Sequence, residues 1–184
     1  MPYTLRAVLA RCEVFAEPIP WIADSAVIPL AQDVCMVPLT TALCGQFGDA
    51  ERPWLYEHHG EFTHLPEGLV PRLRELSRRG RVAYVEAEYH GGDGEQRSIV
   101  WEGGELRSEA EESSRAINSA LVSLGVTRTD DADHFDTLGL GRHRSVDDWI
   151  ASTRPAPPPP IEPAPVPAPP ASEPPRRPWW RFWG

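Results

Sequence analysis

The chain has 184 residues, enough for one ordinary domain with an appendage. Of its 21 prolines, 13 lie between Pro155 and Pro178, so the last 30 residues cannot share the core of the first 154. The appendage holds three arginines and two glutamates, which leaves the body 15 arginines, no lysine and 25 acids; a body charge of −10 repels phosphate backbones and excludes general nucleic-acid binding as its main task.

Near the N-terminus, Leu5, Val8, Leu9 and Cys12 fit a helical stripe, while Tyr3, Leu5, Ala7 and Leu9 alternate as a strand does; the first half favours a strand. Pro18, Pro20 and Pro29 break any long helix after it, and Val34 to Leu39 is a short apolar run suited to a buried strand. Thr40 or Thr41 is placed to cap a short helix through Phe47, and Gly48 to Gly68 reads as an irregular connection. Pro71 at a first helical position, Leu69, Leu73 and Leu76 on one side, and Gly80 past the end predict a compact helix.

A hairpin is predicted from Arg81 to Glu102. Ala83, Val85, Ala87 and Tyr89 face one way, and Tyr84, Glu86 and Glu88 the other, onto a solvated face. Setting Ala87 opposite Ile99 and Val85 opposite Trp101 requires an odd loop, met by Gly92-Asp93-Gly94 with Gly94 left-handed. Gly103-Gly104 then turns the chain into a short strand at Glu105 to Arg107. Ser108 and Glu111 form a capping-box pattern before the stripe Ile117, Ala120, Leu121 and Leu124, a helix ending at Gly125. Ser145 with Asp148 caps a last short helix carrying Val146, Trp149 and Ile150. The expected fold is α+β, a small, mostly antiparallel sheet with two or three packed helices, followed by a disordered proline-rich tail. The expected segments are a globular domain 1–154, a polyproline II linker 155–175 and a binding tip 176–184.

The segment Arg81-Val-Ala-Tyr-Val-Glu-Ala-Glu-Tyr-His-Gly-Gly-Asp-Gly-Glu-Gln96, followed by Ile99-Val100-Trp101, resembles a hairpin pattern of uncharacterised bacterial proteins in which a Tyr-Val-Glu run leads into a Gly-Gly-x-Gly-x-Gln turn. Ile117-Asn118, Ala120-Leu121, Leu124-Gly125-Val126 and His134 to Arg144 look like later segments of the same group. Some members are similar to immunity proteins that accompany bacterial toxin systems, so the resemblance, over residues 1 to 150, implies a protein-binding body and supplies no catalytic residues. The arm lies outside it.

Chemistry-bearing residues gather in few places. His58, His59 and His64, with Glu57 and Glu61, are the densest set of metal-ligand types, but the spacing is not H-E-x-x-H, and Gly60 and Pro66 oppose a rigid helix. Neither a metal site nor any cofactor is therefore expected. Cys44 with His134, Asp136, His143 and Asp147 would be the raw material of a hydrolase, without a nucleophile signature around the cysteine. Arg142, His143 and Arg144 interrupt the acidic body, either to recognise an acidic partner or to neutralise Asp130, Asp131 and Asp133. Cys12, Cys35 and Cys44, an odd number at uneven spacing, read as reduced core thiols.

From Pro155 to Pro175 the chain holds 12 prolines in 21 residues, a spacer of roughly 65 Å if extended. It ends in Arg176, Arg177, Trp179, Trp180, Arg181, Phe182 and Trp183. Disordered segments are depleted in large aromatics, so this tip reads as a binding element for an anionic membrane surface or a protein groove. Arg6, Arg11 and Glu13 interrupt any secretory apolar core, and the longest uncharged run, Val34 to Gly48, is shorter than a bilayer span. The expectation is a cytoplasmic, non-enzymatic binding or adaptor protein: the acidic body recognises a protein partner and the arm brings it either to a membrane surface, at the inner face, or to the docking groove of a second protein. The alternative is a hydrolase or metal-dependent enzyme built on His58, His59 and His64.

Overall fold

A computed structural model describes residues 2–23, 25–48, 54–55 and 61–154. The chain divides into two units, Met1–Arg154 and Pro155–Gly184. The spacer and the tip residues Arg176, Arg177, Trp179, Trp180, Arg181, Phe182 and Trp183 lie outside the described residues, as do His58 and His59.

The body is α+β. Its described elements are strands β1 (Tyr3–Arg11), β2 (Ile28–Pro29) and β3 (Val34–Pro38), helix α1 (Thr41–Cys44), strands β4 (Trp54–Leu55) and β5 (Glu61–Phe62), and helix α2 (Val70–Leu76). Strands β6 (Val82–His90), β7 (Asp93–Glu102) and β8 (Glu105–Glu112) follow, then helices α3 (Ala116–Ser123), α4 (His134–Leu138) and α5 (Val146–Ser152). Six strands form one antiparallel sheet in the order β2-β3-β1-β6-β7-β8, and β4 pairs with β5 in a separate ribbon. The sheet is larger than expected, and both of its faces are covered.

On one face Leu5, Ala7, Leu9, Ala83, Val85 and Val100 pack under Ile117, Leu121, Leu138 and Trp149 of the C-terminal helices. On the other, Val8, Ala10, Val37, Tyr84, Ile99 and Trp101 pack under Leu43, Leu69, Leu73 and Leu76. Covered on both sides, β1 buries consecutive residues from Ala7 to Ala10, which is why its sequence fits a helical stripe as readily as an alternating one. The predicted caps of α1 and α5 form: Thr40 Oγ1 accepts the Leu43 N–H at 3.1 Å, and Ser145 Oγ accepts that of Asp148 at 3.2 Å.

The hairpin corrects three expectations. Its register sets Tyr84 opposite Ile99 and Val82 opposite Trp101, with His90 opposite Asp93. The loop is therefore the two-residue Gly91-Gly92, and its positive φ values of 65° and 100° suit the primed turn that matches strand twist. Gly94 is ordinary strand. A Cβ there would stand 2.2 Å from the Glu88 carbonyl oxygen and 2.6 Å from both Cα and Cδ1 of Tyr89, so the close approach of the opposite strand's backbone, together with the Tyr89 ring, requires glycine. The expected pairing assumed one solvated face. With both faces buried, Ile99 and Trp101 join Tyr84 instead, and Glu86 goes inside, 3% exposed, while Glu88 stays out.

Two further expectations fail for tertiary reasons. Ser108 and Glu111 do not cap a helix, because the Gly103-Gly104 turn returns the chain to β7 and the strand continues to Glu112. The start of α3 is held instead by Gln96 Oε1, which accepts the Ile117 N–H at 3.3 Å. Cys12 and Cys35 are not reduced thiols but a disulfide with Cα atoms 4.8 Å apart. The β1–β3 register, which pairs Ala10 with Cys35, brings the two together across 23 residues of sequence. Cys44 alone is free and buried.

Candidate binding cleft

On the second face, the register of β1, β6 and β7 sets Arg6, Glu86 and Arg97 in one row. Glu86 accepts the Tyr84 hydroxyl at 2.6 Å, the Thr63 N–H at 2.9 Å and the His64 N–H at 3.2 Å, and Arg97 Nη1 stands 3.6 Å away. Its neighbourhood leaves about 10 Å³ of free space, no more than one water needs. A carboxylate so fully engaged is an anchor for the residues after β5, not an acid or base with access to a substrate.

His64 meets the same row. Its Nε2 lies 3.0 Å from Arg6 Nη2 and accepts from it, and Glu88 Oε2 is 3.6 Å away. Burial, then the Arg6 charge, lowers the His64 pKa below its ordinary 6.5 despite the Glu86 and Glu88 carboxylates. With that lone pair occupied and a guanidinium beside it, His64 is a poor metal ligand, and among the described residues no His, Cys, Asp or Glu cluster is placed to hold a metal ion. Cys44 belongs to the core under α1 and α2, where burial pushes its thiol pKa up. Trp149, against which His143 packs, belongs to the core on the opposite face, as does Phe135 beside Asp136. The sheet thus separates the cysteine from His143 and Asp136, and the imagined hydrolase set is not assembled.

The basic triplet divides into two roles. Arg142 places its guanidinium carbon 5.3 Å over the Trp149 ring, and His143 packs edge-on to the same ring at 4.5 Å. Neither reaches the acidic loop by an ion pair. Asp133 is occupied as the cap of α4: burial raises its pKa, but the Asp136 N–H and the Asn118 amide, both bonded at 2.8 Å, bring it below the ordinary value. Arg144, by contrast, opens onto a cleft of about 490 Å³ with Tyr3, Tyr89, Gln96, Phe135 and Asp136.

This cleft is a meeting of distant segments. The Thr4 N–H donates to the Arg144 carbonyl at 2.9 Å, which pins the basic loop beside the start of β1. Tyr3 donates its hydroxyl to the Leu140 carbonyl at 3.2 Å and packs edge-on to Phe135 at 5.9 Å. Burial raises the Tyr3 pKa well above its ordinary value, and the nearby Arg144 charge only partly offsets this, so the phenol stays a neutral donor. Of the lining residues, the sequence pointed to Arg144 as a binding group and to Asp136 in another role. Tyr3, Tyr89, Gln96 and Phe135 carry no local signal, since the cleft exists only once residues 3, 89–96 and 135–144 are brought together. Compared with known proteins, the chain matches no family model, no curated protein and no solved structure.

Proposed function

We propose that this protein is a non-enzymatic binding protein of the immunity type, whose acidic body recognises a protein partner through the Arg144 cleft and whose arm presents the Trp/Arg tip to an anionic membrane. The observation that carries the first half is the cleft itself: an open, aromatic-walled concavity with a guanidinium that has no ion-pair partner among the described residues. Aromatic and arginine side chains are the commonest energetic anchors of protein interfaces. The remaining acidity of the body favours a basic partner surface around that anchor and speeds the encounter.

The second half rests on composition. Three arginines add about 3 kcal/mol at an anionic leaflet, and indoles settle at the headgroup boundary. Among the described residues no helix is long and apolar enough to cross a membrane, so attachment would be peripheral. The disulfide counts against a cytoplasmic site, because cytosolic thiols are kept reduced; thiol trapping in intact cells decides between the inner and outer faces.

The test is complex formation between the full chain and the product of the gene adjoining its own, followed by titration. A one-to-one complex weakened by Arg144→Glu is expected, while stoichiometric zinc or hydrolysis dependent on His64 overturns the binding role. Flotation with anionic vesicles, lost on Trp179→Ala, Trp180→Ala and Trp183→Ala together, is the expected result for the tip; equal flotation of that variant refutes it.

A further inference from the structure

Resting on that reading of the cleft, we propose that it receives the C-terminal residue of a peptide chain, with the α-carboxylate held by Arg144, Tyr89 and Gln96 and the apolar side chain lying against Tyr3 and Phe135. The inventory of unused hydrogen-bonding groups carries this. The guanidinium of Arg144 and the hydroxyl of Tyr89 have no hydrogen-bond or ion-pair partner among the described residues. Gln96 has committed its amide oxygen to the Ile117 N–H, and its NH₂ remains to donate.

Three donors of this kind around one cleft match a carboxylate, which accepts through two oxygens and binds guanidinium in a fork. A cation would meet the wrong partners on that side. The cleft also contains one acceptor in excess, the Asp136 carboxylate, which has no ion-pair partner among the described residues. Sulfate offers it nothing but repulsion, and free phosphate only a hydroxyl carried on an anion of the same sign. A chain terminus offers an amide N–H next to its carboxylate, so the same residue satisfies donors and acceptor together. At about 490 Å³ the space holds one large side chain with the peptide that precedes it.

The test is calorimetric titration of the full chain with N-acetyl-Gly-Ala-Phe, the same peptide as its C-terminal amide, and free phenylalanine. The free acid is expected to bind, with the amide and the Arg144→Gln variant each weaker by about tenfold or more. Tyr89→Phe should lose less, and Arg144→Lys should restore part of the loss. Unchanged circular dichroism checks that the variants are folded, which is expected because the altered groups hold nothing within the domain. Equal binding of acid and amide, or no binding of either, overturns the proposal, and tighter binding of free phenylalanine replaces a chain terminus with a free amino acid. If the peptides fail while Arg144→Gln still weakens the protein complex, the terminus is wrong and the cleft stands. If Arg144→Gln affects neither, both fall.

Discussion

Tyr84 donates its hydroxyl to Glu86 at 2.6 Å, two residues along the same strand and on the same buried face. Burial and the adjacent carboxylate both raise the Tyr84 pKa far above its usual value, so it remains the donor. The pair is the hub through which β6 holds Thr63 and His64.

Removing that hydroxyl takes one charge-assisted hydrogen bond from a buried carboxylate. Tyr84→Phe is expected to destabilise the body by about 1–3 kcal/mol. Glu86→Ala, which also strips the counter-charge from Arg97 and the acceptor from two backbone N–H groups, should cost about 3–5 kcal/mol. Urea denaturation of the full chain measures both, and a smaller loss for Glu86→Ala than for Tyr84→Phe would contradict the hub.

Stability should fall on acidification in two stages. His64 has a folded pKa below its ordinary 6.5, so its contribution is complete above pH 6.5 and is lost as pH falls through the lowered folded value. Glu88 has a folded pKa below its ordinary 4.5, first through the His90 hydrogen bond. Its contribution is complete above pH 4.5 and disappears as pH falls through the lower folded value. Denaturation midpoints measured from pH 8 to pH 3 should show both declines, and His64→Asn should remove the first and shrink the second, because His64 also helps to lower the Glu88 pKa.

The disulfide closes a loop between positions separated by 23 residues, for which the chain-entropy relation gives about 3 kcal/mol. The Cys12→Ala/Cys35→Ala double variant should unfold at lower denaturant by that amount, and reductant should shift the wild type and leave the variant alone. A free-thiol titration of the unfolded, unreduced protein should count only Cys44.

Glycine is demanded for different reasons on the two sides of the hairpin turn. Gly91→Asn should be nearly neutral, since nothing lies within 4 Å and asparagine tolerates a φ of 65°. Gly94→Ala drives a methyl into the backbone of the opposite strand and the Tyr89 ring, and should cost about 1–3 kcal/mol. Thermal melts rank the two. A larger loss at Gly91 than at Gly94 would contradict these two roles.

Local signals in the sequence were sufficient wherever an element depends on its own neighbours. Thr40 and Ser145 cap the helices that follow them, Pro71 opens α2, and the apolar stripe from Ile117 marks α3. Those features need only a few residues of chain, because a cap or an amphipathic stripe is set within one or two turns. The α+β class followed from the same signals.

What neighbours could not specify was decided by tertiary packing. Alternation in β6 shows which residues share a face but not whether that face is covered. It is α1, α2 and the residues before them that turn Glu86 from a solvated group into an anchor. Ser108 and Glu111 spell a cap as well as they spell a strand, and pairing with β7 chooses the strand. Composition and spacing determined an acidic α+β body with local helix starts and turns. Strand register determined the rest, because only the assembled sheet brings Cys12 to Cys35, hides Glu86, and gathers Tyr3, Tyr89 and Arg144 around one cleft.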